Sequence, residues 1–178
     1  MKKITFLLIY TIAVMLTLSK SVNAQKRYIA SNSSALNNTF LSPFEKMGFK
    51  ETKANNFNIR AVRDFVRTFK TISSNKWFLA EDGSSTSTFN SNGITTTVLY
   101  DSKGYRQYII RIYEENKLQA DIRHMIKREY YDATITLVKE VEANDGLLIF
   151  VHMQDKYTWK IVQVADGEMK LVQNLTKS

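Results

Sequence analysis

The stretch at residues 118–131, LQADIRHMIKREYY, constrains the fold more than any other part of the chain. Leu118, Ile122, Met125, Ile126 and Tyr130 recur at helical spacing, so one apolar stripe runs along an amphipathic helix. On each side lie about 40 residues of alternating, β-branched-rich sequence broken by turn signals, the pattern of hairpins. A helix placed between two such runs buries its stripe against the sheet they form. The fold class is therefore α+β, with an antiparallel sheet covered by helices on one face.

A second helix is expected over residues 59–72. Ile59, Val62, Phe65, Val66, Phe69 and Ile72 make its apolar face, and Asn58 stands where an N-cap belongs. Arg60, Arg63, Arg67 and Lys70 follow at spacings of three and four, a basic stripe that is either a docking surface for an acidic partner or a solvated helix face. Strands are expected at 76–79, 87–90, 94–100 and 105–113, with Asn92-Gly93 as the strongest hairpin signal. After the 118–131 helix come strands at 134–141, 147–153, 157–164 and 168–172. Their turns are Asn144-Asp145-Gly146, Asp155-Lys156 and Asp166-Gly167. Residues 147–153 are apolar at nearly every position, which suits a central strand covered on both faces. Asn116 and Gln119 have capping-box spacing, with Glu114 and Glu115 at the positive end of the helix dipole. Glu129 falls beside the apolar stripe and is expected to reach outward.

The order reads α-β-β-β-α-β-β-β, with room for a fourth strand in each half. The halves share a pattern in which Gly93 and Gly146 correspond. Residues 57–178 are then one α+β domain, read either as a single unit or as two tandem repeats, 57–115 and 116–178.

The N-terminus carries a different signal. Lys2 and Lys3 precede an uncharged apolar run at 4–18, and Val22-Asn23-Ala24 supplies small residues for cleavage. This is the form of a secretory signal peptide over residues 1–24, cut after Ala24. A spanning helix needs roughly 20 apolar residues, more than this run offers. Residues 25–56 form a polar leader rich in Ser, Asn and Lys. It is either an irregular segment laid along the domain or a disordered linker. Cleavage removes Lys2, Lys3 and Lys20, so Lys plus Arg falls from 25 to 22 against 17 acids and the net charge from +8 to +5. With no cysteine, the exported chain has neither a disulfide nor a lipid-attachment thiol and is held by its core. A periplasmic or secreted protein with no membrane span after cleavage is expected.

Catalytic constellations are hard to assemble from these residues. No G-x-S-x-G elbow, phosphate loop or dinucleotide fingerprint is present. His124 and His152 lie on different elements, a poor basis for zinc, and no metal or cofactor is expected. Glu140 and Glu142 share one face of a strand, more the pattern of a solvated edge than of an acid/base dyad. The basic, aromatic-rich composition raises nucleic acid as a ligand, but export argues against it. What remains is protein binding through aromatic side chains. Those chosen are Tyr105, Tyr108, Tyr113, Tyr157 and Trp159, so far as they are exposed.

Several short motifs occur together: Trp77 in the first strand, Tyr100-Asp101-x-x-Gly104, Leu118 with Asp121-Ile122-Arg123, Tyr130-Tyr131-Asp132 with Ile135-Thr136, and Asp155-Lys156 with Trp159-Lys160. In combination, over residues 59–172, the chain resembles the PepSY-like, beta-lactamase-inhibitor-like exported proteins of Bacteroidetes. It departs from them at Gln119, where a proline is common. The resemblance implies a helix-plus-meander α+β fold, in one or two copies, and assigns no catalytic or ligand residues. The expected function is an exported, non-enzymatic binding or inhibitor-like module acting on another envelope or extracellular protein. The alternative is a small-ligand carrier or envelope-stress protein using a cleft between helix and sheet, with a hydrolase as a third reading. Oligomeric state has no signature in the sequence.

Overall fold

In the computed structural model, the structure describes residues 50–51 and 57–177. The expected signal peptide and most of the leader lie outside the described residues. Among the described residues, nine antiparallel strands form one sheet: β1 (Lys50–Glu51), β2 (Lys76–Leu79), β3 (Ser85–Ser91), β4 (Ile94–Tyr100), β5 (Arg106–Tyr113), β6 (Thr134–Ala143), β7 (Gly146–Gln154), β8 (Thr158–Ala165) and β9 (Glu168–Thr176). Their spatial order is their sequence order. Helix α1 (Ile59–Thr68) joins β1 to β2, and α2 (Ala120–Glu129) joins β5 to β6 after a 3-10 turn at Glu115–Lys117. Each half thus holds four strands after its helix, the larger of the numbers expected. One described piece of the polar leader, Lys50–Glu51, is not irregular but pairs with Leu79 and Phe78.

The register shows why both helices share a face. Directly opposed residues in antiparallel strands point the same way. Trp77 opposes Ser87, Ser87 opposes Val98, and Val98 opposes Ile109. Ile109 and Tyr113 lie on one side of β5. Tyr113 opposes Val138, which opposes Val151, which opposes Val162. These residues line the covered face. Under α1, Phe57, Ala61, Phe65, Trp77, Phe89, Val98, Tyr100 and Ile109 make one core cluster. Under α2, Leu118, Ile122 and Ile126 pack with Val138, Ile149, Val151, Met153, Val162 and Val164 in another.

Helix α1 ends four residues earlier than its pattern predicts. Phe69 leaves helical geometry at φ −115°, ψ 57°, and its ring lies 5.1 Å from Phe65 and 5.0 Å from Phe89. Packing that ring on the sheet competes with continuing the helix. As a result Lys70 sits in the following turn, off the helical basic stripe. At the other end, Asn58 accepts the Arg60 amide at 3.0 Å and donates through Nδ2 to the Ser102 carbonyl at 3.1 Å. The Asp101–Gly104 turn is thereby docked on the start of α1. Gly104, at φ +81°, comes so close that a Cβ there would meet Asn58 Oδ1 at 2.7 Å.

Helix α2 begins at Ala120, and the capping box is not made: Gln119 is the N-cap and its side chain makes no cap bond. The 3-10 turn takes Asn116 out of position, while Leu118 stays as a buried anchor. Glu129 is exposed, as expected of an outward-reaching side chain. Strand β7 is interior, but only one of its faces is sealed. Ile149, Val151 and Met153 are buried toward α2, whereas Leu148, Phe150 and His152 on the helix-free face are half-buried.

Candidate functional site

The aromatic residues chosen from sequence divide into three situations. Tyr113 is buried at 5 % exposure, and its hydroxyl donates to Glu140 Oε2 at 2.9 Å. It is part of the core and not available to a partner. Burial, reinforced by the Glu140 charge, pushes its phenol well above the ordinary range. Tyr108 is half-buried on the helix-free face, its phenol raised by burial and by Asp145. Tyr105, Tyr157 and Trp159 are exposed at 53 %, 64 % and 49 %.

Those three do not converge. Tyr105 lies in the β4–β5 turn, under the Arg60 guanidinium at 4.3 Å from the ring centroid. Tyr157 lies in the β7–β8 turn, and the antiparallel register puts that turn at the opposite end of the sheet. Tyr157 and Trp159 do lie at the same end of the sheet, joined there by Leu175, which opposes Trp159 across β8–β9 and is 50 % exposed.

Asp155 shapes this end of the sheet. Its Oδ1 accepts the backbone amides of Tyr157 and Thr158, each at 2.7 Å, and its Oδ2 accepts the Thr158 hydroxyl at 2.7 Å and the Lys160 ammonium. Lys160, then Thr158 and the Tyr157 amide, hold the carboxyl far below the usual range. The turn is consequently fixed, and the rings ride on a rigid support. Trp159 Nε1 donates to Gln154 Oε1 at 3.1 Å, and Lys177 Nζ stands 5.3 Å from the indole. Lys156 stands 5.1 Å from the Tyr157 ring. The result is an aromatic and aliphatic patch edged by two lysines. Leu175 and Lys177 had no place in a last strand expected to stop at 172. The polar pair Gln173-Asn174 hid the continuation to Thr176.

Glu140 and Glu142 are not on a solvated edge. Strand β6 is interior, and both carboxylates lie on the covered face, between the two core clusters. Arg111 from β5 reaches Glu140 at 2.7 Å and Glu142 at 2.8 Å. A guanidinium shared by two carboxylates, one also bonded to Tyr113, is a closed ionic cluster that ties the halves of the sheet together.

The polar side of α2 is similarly engaged. Arg123 Nη2 donates to the carbonyls of Glu115 at 2.8 Å and Leu118 at 3.1 Å, and Lys127 donates to the Ala133 carbonyl at 2.6 Å. His124 is exposed. Beside the 3-10 turn, an open cleft of about 450 Å³ is lined by Glu114, Glu115, Asn116, Arg123, Ile135 and Thr136. Arg123 Nε there is buried and without a hydrogen bond. Among the described residues, no group of three or more His, Cys, Asp or Glu is arranged to hold a metal ion.

His152 is packed within the interior strand β7, opposite Leu137 and Ile161. Burial, and secondarily the Lys139 charge, lower its pKa to about 4. The neutral imidazole is the form the fold accepts. Its contribution is present above the ordinary value near 6.5 and is lost as pH falls from there toward 4. Urea melts are expected to show stability dropping by about 2 kcal/mol over that interval. His152→Leu should flatten the slope; an unchanged slope would assign it to other groups.

No family model matches the chain, and neither does any curated protein. Solved structures do. A DUF2874 family protein from Bacteroides ovatus ATCC 8483 superposes with a TM-score of 0.54 at 15 % identity, covering 71 % of this chain and 89 % of that one. Another, from Bacteroides uniformis ATCC 8492, gives 0.52 at 12 %, covering 66 % and 87 %. A Bacteroides eggerthii DSM 20697 protein, provisionally assigned to the periplasm, gives 0.51 at 13 %, covering 66 % and 86 %. This chain has the fold of the DUF2874 proteins. At these identities the likeness concerns the fold alone. Among the described residues, no helix is long and apolar enough to cross a membrane.

Proposed function

We propose that this protein is an exported, non-enzymatic binding module of the PepSY-like kind, which engages another envelope or extracellular protein through the end of the sheet bearing Tyr157 and Trp159. The observation that carries this reading is the exposed Tyr157, Trp159 and Leu175 at one end of the sheet, where Asp155 fixes the turn that bears Tyr157 and leads into the Trp159 strand. Large aromatic side chains on a rigid support offer contact area at little ordering cost, and tryptophan and tyrosine dominate binding hot spots. The signal-like residues 1–24 support export, as does the provisional periplasmic assignment of the B. eggerthii protein. Each helix having its own core cluster and four strands supports reading the halves as repeats of one unit.

The test is quantitative capture from envelope extract at physiological salt, with exported protein whose first residue has been established by mass spectrometry. A partner retained by the parent is expected to bind Trp159→Ala at least tenfold more weakly, with thermal stability preserved. Identical retention by parent and variant would move the interface elsewhere.

A second reading, a small-ligand carrier, is favoured by the cleft at Glu115 and Arg123, where the buried Arg123 Nε has no hydrogen bond. Thermal stabilisation by a small molecule that persists in Trp159→Ala would support it.

A further inference from the structure

The outward face of α1 combines exposed arginines with exposed aliphatics. At about 100° per residue, Val66, Ile59, Arg63, Arg67 and Arg60 fall in one continuous arc of about 120°, opposite the buried Ala61 and Phe65. All five are exposed, Ile59 at 60 % and Val66 at 61 %. No acid lies in the arc. The nearest, Asp64, is turned toward the sheet, where it accepts the Tyr100 hydroxyl and pairs with Arg106 and Arg67. Arg63 makes no ion pair among the described residues.

We propose that this arc docks the protein peripherally on an anionic lipid surface, with the arginines on headgroup phosphates and Ile59 and Val66 set into the interface. Charge complementarity is the first support: guanidinium groups match phosphate in bidentate geometry. Composition is the second, because adjoining aliphatics bordered by cations, with no acids, is the pattern of interfacial helices. Shape is the third. The arc is convex and some 15 Å long, with no groove to enclose a peptide, so a flat, laterally adjustable array of phosphates suits it better than an acidic protein segment. This surface is separate from the Trp159 end of the sheet.

The experiment is vesicle co-sedimentation of the exported protein, its first residue verified so that no signal sequence contributes. Vesicles are zwitterionic phosphatidylcholine alone or phosphatidylcholine with about one-third phosphatidylglycerol. Binding is expected only to the anionic vesicles, falling steeply as salt rises above about 0.15 M. Each basic residue near such a surface is worth about fivefold. Arg63→Ala should therefore weaken binding about fivefold, and Arg63→Glu well over tenfold. Val66→Ser should weaken it without altering the salt dependence, and Trp159→Ala should leave it unchanged. Thermal melts verify that each variant is folded. No binding to anionic vesicles at low salt, equal binding to both vesicles, or indifference to Arg63→Glu would each overturn the proposal. So would competition by a polyglutamate peptide as effective as the vesicles themselves, which would assign the arc to an acidic protein.

Discussion

Phe65→Ala is expected to lower the unfolding free energy by about 4 kcal/mol and the melting temperature by about 15 °C. Phe65 is 3 % exposed on the inner side of α1, with its ring 5.1, 5.4 and 5.7 Å from those of Phe69, Trp77 and Phe89. The contacts with Trp77 and Phe89 are edge-on, an arrangement that adds to simple burial. Alanine would leave a ring-sized void among side chains anchored on three elements, so little collapse is available to fill it. Ile126→Ala, in the separate cluster under α2, should cost about 3 kcal/mol. Because the two residues share no cluster, the double variant should show the sum within about 0.5 kcal/mol, in a single transition by calorimetry. Two resolved transitions would mean that the halves unfold independently.

Arg111→Met is expected to destabilise the sheet through charge rather than through a void. The methionine keeps the stem's packing but leaves Glu140 and Glu142 neighbouring each other without their shared cation. The Arg111 and Glu140 side chains are 27 % and 15 % exposed, so their charges are only partly solvated. Breaking a buried pair from one side is far more costly than replacing it whole. With a discount for the exposure of Glu142, the expected loss is about 2 kcal/mol. The diagnostic comparison is the triple variant Arg111→Met, Glu140→Gln, Glu142→Gln. It removes the like charges while leaving Tyr113 a partner, and should regain most of the loss in chemical denaturation. If it stays as unstable as Arg111→Met, the cluster acts through packing rather than charge.

The elements themselves were legible because their signals are local. The apolar stripe of α2, the Asn92-Gly93 hairpin and the alternation in β4 are each written within one segment. What was not legible depends on neighbours distant in the chain. Phe69 fits a helical face as well as it fits the sheet, and only the position of Phe89 decides between them. Glu140 and Glu142 look like a solvent-facing pair until Arg111 is placed opposite. Tyr113 and Tyr157 are indistinguishable as residues, and only the packing of α2 hides one and leaves the other out. The Trp159 end of the sheet was half legible. Tyr157 and Trp159 were in view, whereas Leu175 and Lys177 become its neighbours only through the β8–β9 register.

The agreement between spatial and sequence order has a consequence for assembly. Apart from the two helical connections, each strand is reached from its predecessor by a short turn. Closing such loops costs little entropy, and local pairing of this kind favours rapid folding. In a chain that emerges N-terminus first, every new strand finds its partner already delivered. The sheet can then lengthen as a zipper does, with one growing edge at a time. The vulnerable moment falls when β7 is that edge, because Leu147, Leu148, Ile149, Phe150 and Val151 would stand there unpaired. Only the short turn at residues 155–157 separates β7 from the strand that covers it, so the interval of exposure is brief.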